Sequence, residues 1–262
     1  MFKNYLKTTI RRAVRDRLNT VINLFGLSVA IACCIIIFLF VNNELGYDRF
    51  HKSSERIYRI TTHETKEGIT RNFANTFMSY PPLLETQLSS VEQTVRMLPQ
   101  SVSISDQAGA NVFQEPRFFY VDATFLELFS FPLISGNRKT ALSNPNNILI
   151  TQSMAQKYFG EKEAMGQILK IEQEHTFTVA GILEDPKSQS SLKFDFIVPM
   201  KAAEDIFGPW ISDPNKTWYY PPVYSFIKFN TNIDVGATTQ IIHNVEREHL
   251  PSYVSETRSH SI

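Results

Sequence analysis

Few residues in this 262-residue chain have the types and spacing that chemistry needs. His243, Glu246 and His249 follow one another at intervals of three and offer the donor types of a metal site. On a helix, successive members of such a set stand about 60° apart and fan over ~120°, so they do not easily meet one ion. A solvated polar face suits them better. His51 and His63 flank a predicted first strand and read as surface or hydrogen-bonded histidines. The only cysteines, Cys33 and Cys34, lie inside an apolar run, so the rest of the chain has neither a disulfide nor a thiol nucleophile. No glycine precedes a lysine, which excludes a phosphate-binding P-loop, and HExxH, CxxC and GxSxG are all missing. No catalytic set converges, and neither a metal nor a cofactor is expected.

The elements that would position such residues begin with the apolar run. Val21 to Val41 is 21 residues without a charge. As a helix it would cover about 31 Å, close to a hydrocarbon core of roughly 30 Å and longer than a signal-peptide core. Ala32 before Cys33 has a passing likeness to a lipoprotein cleavage site, but the run continues beyond Cys34, and no small-x-small site follows it. A retained transmembrane helix over 21–41 is expected. Residues 1–42 hold six basic side chains (Lys3, Lys7, Arg11, Arg12, Arg15, Arg17) against Asp16 alone. The remainder has 20 basic and 25 acidic residues, a net charge of −5. The basic head places the amino terminus in the cytoplasm and residues after about 42 outside, and the acidic body argues against nucleic-acid binding. Phe2, Leu6, Ile10, Val14 and Leu18 recur at helical spacing, which predicts either an amphipathic leader over 1–20 lying on the inner leaflet or a plain basic topology signal.

Beyond Asn43, short strands and short helices alternate. Strands are expected at 56–63, 94–104, 111–120, 147–151, 167–172, 175–185, 194–200 and 223–230. A helix should start at Pro81-Pro82 and bury Leu83, Leu84 and Leu88. Asp122 should cap a short helix that buries Phe125, Leu128 and Phe129, and Thr151 can cap a helix over 152–159 that Gly160 ends. Asp234 should open a last helix with Ile241, Ile242 and Val245 inward. Trp210, Trp218, Tyr219, Tyr220 and Pro221-Pro222 form an aromatic connector, either a hydrophobic clamp or an exposed contact surface for a partner or apolar substrate. The fold class is α+β.

Several long segments resemble one family in order: "NLFGLSVAIACC", "ELGYDRFHKSSERIYRI", "VDATFLELFSFPLISGN", "NILITQSMAQKYFG" and "FTVAGILEDPKSQSSLKFDFIVPM". Together they resemble the MacB/FtsX-like ABC-transporter permeases with a MacB-like periplasmic core domain. The likeness samples most of residues 1–200 and weakens beyond Tyr224. It implies a bacterial inner-membrane location, in which setting the glycosylation-like Asn215-Lys216-Thr217 is a chance match.

It further implies one transmembrane helix followed by a periplasmic mixed α/β domain over 42–262. That domain would divide into a porter-like part (about 42–135 and 202–262) and an inserted subdomain (about 136–201). Implied partners are a cytoplasmic ABC ATPase subunit, a second permease copy in a dimer and membrane lipid. The chain itself would not hydrolyse ATP. Such permeases carry further spans after the periplasmic domain, so residues 1–262 look like the amino-terminal portion of one. The juxtamembrane residues Glu44, Tyr47, Asp48, Arg49 and Phe50 are the candidate coupling collar, with helix-exit packing as their plainer role. A single-pass anchored binding or sensor module is the alternative, and an anchored exported enzyme has the least support. In intact membranes Cys33 and Cys34 should resist a membrane-impermeant maleimide and react only after denaturation; labelling without denaturation would rule out the span.

Overall fold

The computed structural model describes residues 2–109, 112–208, 211, 222–252 and 258–262. The aromatic connector from Trp210 to Pro221, apart from Ile211, lies outside the described residues, as does Asn215-Lys216-Thr217. Two compact units divide the chain at Asp48 and Arg49.

The first unit is two helices, α1 (Phe2–Arg15) and α2 (Arg17–Leu45). The break falls at Asp16, whose backbone leaves helical geometry (φ −108°, ψ 68°). Its carbonyl accepts from the Thr20 amide and hydroxyl, and its carboxylate accepts from Asn19 Nδ2 at 2.8 Å. Short polar side chains that bond the nearby backbone in this way end one helix and start the next. α2 has 29 residues, long and apolar enough to cross a membrane, and none of them is buried. It extends the expected span by four residues at each end.

The second unit runs from Arg49 to Ile262. Its elements are β1 (Ile57–Lys66), β2 (Ile69–Phe73), α3 (Tyr80–Gln87), β3 (Val91–Asp106), β4 (Val112–Val121), α4 (Phe125–Leu128), β5 (Leu133–Gly136), β6 (Asn147–Thr151), α5 (Gln152–Phe159), β7 (Ile168–Ile171), β8 (His175–Leu183), β9 (Phe196–Pro199), α6 (Met200–Phe207), β10 (Tyr224–Phe229), α7 (Val235–His249) and β11 (Arg258–Ser261).

Strand pairing closes on itself. β3 pairs antiparallel with β4, β4 parallel with β9, β9 antiparallel with β6, and β6 parallel with β8. β8 then pairs antiparallel with β7, and β7 with the far end of β3 through Ile104 and Ile171. The result is a six-stranded barrel. Side chains alternate across each strand, so Ile104, Phe118, Ile150, Leu169, Phe177 and Phe196 fill the interior. Residues of opposite parity (Met97, Phe119, Leu149, Ile197) face a second core with Phe125, Leu128, Phe129 and Phe131. Burial on both faces explains why "ILI" in β6 and "FIVP" in β9 are unbroken apolar runs. α5 follows β6 and α6 follows β9; because those strands are antiparallel, the two helices pack on the interior core from opposite ends.

A third core lies where α3 and α7 cover β1 and β10, with Ile60, Leu84, Ile227, Phe229 and Ile242 inside. β1 is shared between two sheets. Ile57–Ile60 pairs with β10, while Thr61–Glu64 pairs with β11 and Thr62–Lys66 with β2.

Several local expectations need correction. The Asp122 carboxylate does not cap α4; it takes the Arg96 guanidinium and the Arg96 amide, both at 2.7 Å. Thr151 sits at the cap position of α5 without capping it, and Asp185 instead accepts from the Ser153 amide and hydroxyl. Ile241 is 48% exposed, so of the three expected residues α7 buries Ile242 and Val245, while Asp234 caps it as expected. Leu83 is half-buried rather than buried. Phe196→Ala would empty the barrel's centre and should destabilise the domain by ~3–5 kcal/mol in denaturant melts.

Candidate functional site

The five collar residues fall on either side of the division between units. Glu44, Tyr47 and Asp48 belong to the helical unit. The Glu44 carbonyl accepts from the Tyr47 amide at 3.3 Å, and Gly46 ends α2. Asp48 adopts a left-handed backbone (φ 56°), which for a non-glycine residue marks a forced turn. Arg49 and Phe50 open the folded domain, and Arg49 is exposed. Of the five, Phe50 makes the clearest anchor. Its ring lies 5.7 Å from that of Phe131, with Lys187 Nζ 5.3 Å above it.

The next residue completes a knot that sequence reading did not find. His51 is buried at 5% exposure, with its ring 5.1 Å from Phe129 and 4.9 Å from Phe131. Its Nδ1 accepts from the Ser130 amide at 3.0 Å, and the Lys52 amide donates to the Ser130 hydroxyl at 2.8 Å. An Nδ1 that accepts a hydrogen bond carries no proton, so the arrangement fixes the Nε2–H tautomer. Ser53, at φ 63°, turns the chain out of this knot towards β1. Arg138 supports the other side by donating to the carbonyls of Leu126, Phe129 and Phe131. The first residues of the domain are therefore tied to a rigid corner of the second core. The sequence signal was "SFP" following an aromatic helix, and its partner 79 residues away was invisible.

The helical histidine group also resolves differently from its sequence reading. Glu246 does not lie on a solvated face: it is 4% exposed and accepts from the Tyr80 hydroxyl at 2.6 Å and from His260 Nδ1. His243 Nε2 donates to the His260 carbonyl at 3.0 Å, whereas His249 remains exposed. This set joins α3, α7 and β11. Among the described residues, no group of three or more His, Cys, Asp or Glu side chains can hold a metal ion. His63 bonds Asn72 and Ser261, again binding β1 to its neighbours.

Burial, then the charge and hydrogen bond of Glu246, push the Tyr80 phenol well above its ordinary range. At a barrel end, Glu115 accepts from Lys157 Nζ and the Tyr158 hydroxyl, both at 2.6 Å, and burial followed by that carboxylate raises Tyr158. Burial also raises Tyr120, with a smaller contribution from Glu172. These groups link elements of the domain to one another.

Residues 20–245 match the family of the MacB-like periplasmic core domain. The chain belongs to that family. A domain described as part of a permease protein from Porphyromonas gingivalis shares the fold at TM-score 0.66 and 18% identity, over 79% of this chain and 88% of the other. The extracellular domain of the noncanonic ABC-type transporter YknZ from Gram-positive bacteria gives TM-score 0.56 at 15% identity, over 79% and 100%. The periplasmic region of MacB from Actinobacillus actinomycetemcomitans gives 0.54 at 13%, over 83% and 91%. No curated protein sequence matches the chain. It thus carries the MacB-like periplasmic domain of an ABC-type permease family, with one amino-terminal apolar helix as a candidate span.

Two outcomes test the site. In a double-mutant cycle, His51→Ala and Phe131→Leu should show a coupling of ~1 kcal/mol, since their rings pack edge-on at 4.9 Å. Additive effects would mean that the knot is not cooperative. Tyr80, Tyr120 and Tyr158 hold their protons more tightly folded than unfolded, so stability should be flat below the unfolded phenol value of about 10 and fall above it. Ultraviolet titration should show these phenols ionising only together with unfolding.

Proposed function

We propose that this chain is the permease subunit, or the amino-terminal portion of one, of a MacB/FtsX-type ABC exporter, and that its domain transmits movement of the span to the periplasmic side. The amino terminus faces the cytoplasm, ATP is hydrolysed on a separate ATPase subunit, and two permease copies work as a pair. α1 rests on the inner leaflet.

The observation that carries this reading is the knot at Phe50, His51 and Ser130. A domain that receives force through its first residue needs that residue fixed to a rigid body, and the knot ties it to the second core on the barrel wall. β11 runs antiparallel to β1, so the domain's entry and final strands lie side by side. The proposed porter-like part and insert are supported by the third core, which is drawn only from residues 58–91 and 227–262. The alternative of an anchored binding module has one observation behind it, a polar cavity of about 300 Å³ lined by Asn146, Glu174, His175 and Asp205.

The experiment places Phe50→Ala, Tyr47→Ala and His51→Ala separately in the intact permease gene. Phe50→Ala and His51→Ala should reduce export while the ATPase still turns over and the domain stays folded by circular dichroism. Unchanged export in both would sink force transmission through the knot. A ligand that raises the melting temperature and loses its effect on Asp205→Ala would favour the binding module.

A further inference from the structure

α1 carries a charge pattern that the export reading does not use. Lys7, Arg11 and Arg15 recur every four residues and so form one ridge along the helix, with Arg12 beside it, and Lys3 continues the interval in the sequence. The helix contains no acid. Phe2, Leu6, Ile10 and Val14 repeat in the sequence at the same four-residue interval, one position before the basic set. Two such rows are neighbours on any α-helix, here a cationic one next to an apolar one. Lys7, Arg11, Arg12 and Arg15 are all exposed and make no side-chain ion pair among the described residues. Thr8 and Thr9 turn their hydroxyls back to the carbonyls of Asn4 and Tyr5, so they do not compete for a ligand.

Two further features decide what such a surface meets. α1 is joined directly to the candidate span, so its ligand lies where the span enters the bilayer. The non-helical Asp16 separates α1 from α2, so α1 is not a rigid prolongation of the spanning helix. A helix with adjacent apolar and cationic ridges at a bilayer boundary can sink the first among acyl chains and hold the second at phosphate level.

We propose that α1 is a docking helix for anionic phospholipid headgroups of the leaflet facing it, and that it is held there by charge as well as by apolar burial. The proposal rests on the membrane orientation given above but not on export or on the knot. Each juxtamembrane cation contributes ~1 kcal/mol of attraction to an anionic surface at ordinary ionic strength, and the attraction decays over a Debye length of about 8–10 Å. Five cations without an acid are therefore enough to make docking depend on lipid charge.

The full chain in nanodiscs of phosphatidylcholine, with or without phosphatidylglycerol, provides the test, read as amide hydrogen exchange of residues 2–15. Exchange should slow by about tenfold or more with the anionic lipid, and added salt should remove the difference. The variant Arg11→Gln/Arg12→Gln/Arg15→Gln should lose the lipid dependence while residues 49–262 exchange as before. Should that variant insert poorly, the salt titration of the unaltered protein decides alone. Equal protection in both lipids, or protection indifferent to salt, would overturn the proposal in favour of purely apolar docking. Protection that appears only when a soluble protein partner is added would overturn it in favour of a protein contact. Lipid-dependent protection in a permease whose intact form shows no export would count against the export reading and leave this proposal standing.

Discussion

The domain depends on the closure of six strands into a ring whose interior is buried and whose outer face is covered along β6 and β9. β3 and β8 make this possible because each is longer than its barrel share. β3 spans 16 residues, pairing with β10 over its first part and with β7 at its end. β8 pairs with β7 along its start and with β5 along its end, on the edge opposite β6. Where β5 meets β8 the backbones come very close. Gly136 has φ 106°, and a Cβ there would lie 2.5 Å from the Ala180 carbonyl oxygen, so no other residue fits without movement. Closure removes open edges from the centre of the domain, and interior and exterior apolar residues then form two cores divided by one wall of strands.

Everything attached to that wall inherits its rigidity. The aromatic corner of Phe125, Phe129 and Phe131 packs on its outer face, and Phe131 meets Phe194 edge-on at 4.8 Å. Arg138 fixes the corner's carbonyls, Ser130 offers its amide and hydroxyl to the incoming chain, and His51 fills the gap between the rings. The α3–α7 layer is built differently. It is tied to β11 by buried polar contacts, Tyr80 and His260 to Glu246, which are directional and demand complete pairing in an apolar setting. One end of the domain is thus held by aromatic packing and the other by hydrogen bonds between elements far apart in sequence.

The helical unit follows another logic. No residue of α2 is buried within the protein, and its uncharged run, plain from composition alone, is long and apolar enough to cross a bilayer. α1 and α2 are separated by one residue, Asp16, whose local bonds override an otherwise continuous helical pattern.

The sequence by itself determined the long apolar helix that is the candidate span, the α+β class, the family likeness and most strand positions. These are set by local quantities: apolar run length, alternation, and capping residues such as Asp234 before α7. Tertiary structure decided the rest. β2, β5, α6 and β11 were not anticipated; strands of four or five residues such as "LISG" or "RSHS" carry too little pattern until a neighbour pairs with them. β2 had a faint signal in Glu67-Gly68, but a glutamate at a left-handed turn position (φ 53°) is an unusual choice. The histidines show the limit most clearly. Glu246 reads as solvated on its own helix and is buried only because Tyr80 and His260 arrive from other elements to bond it. His51 reads as either a surface or a hydrogen-bonded residue, and it becomes the centre of the knot because Ser130 is brought to it. Periodicity specifies which face of an element is apolar, but the polar partner of a buried group is fixed by chain topology, which no local window contains.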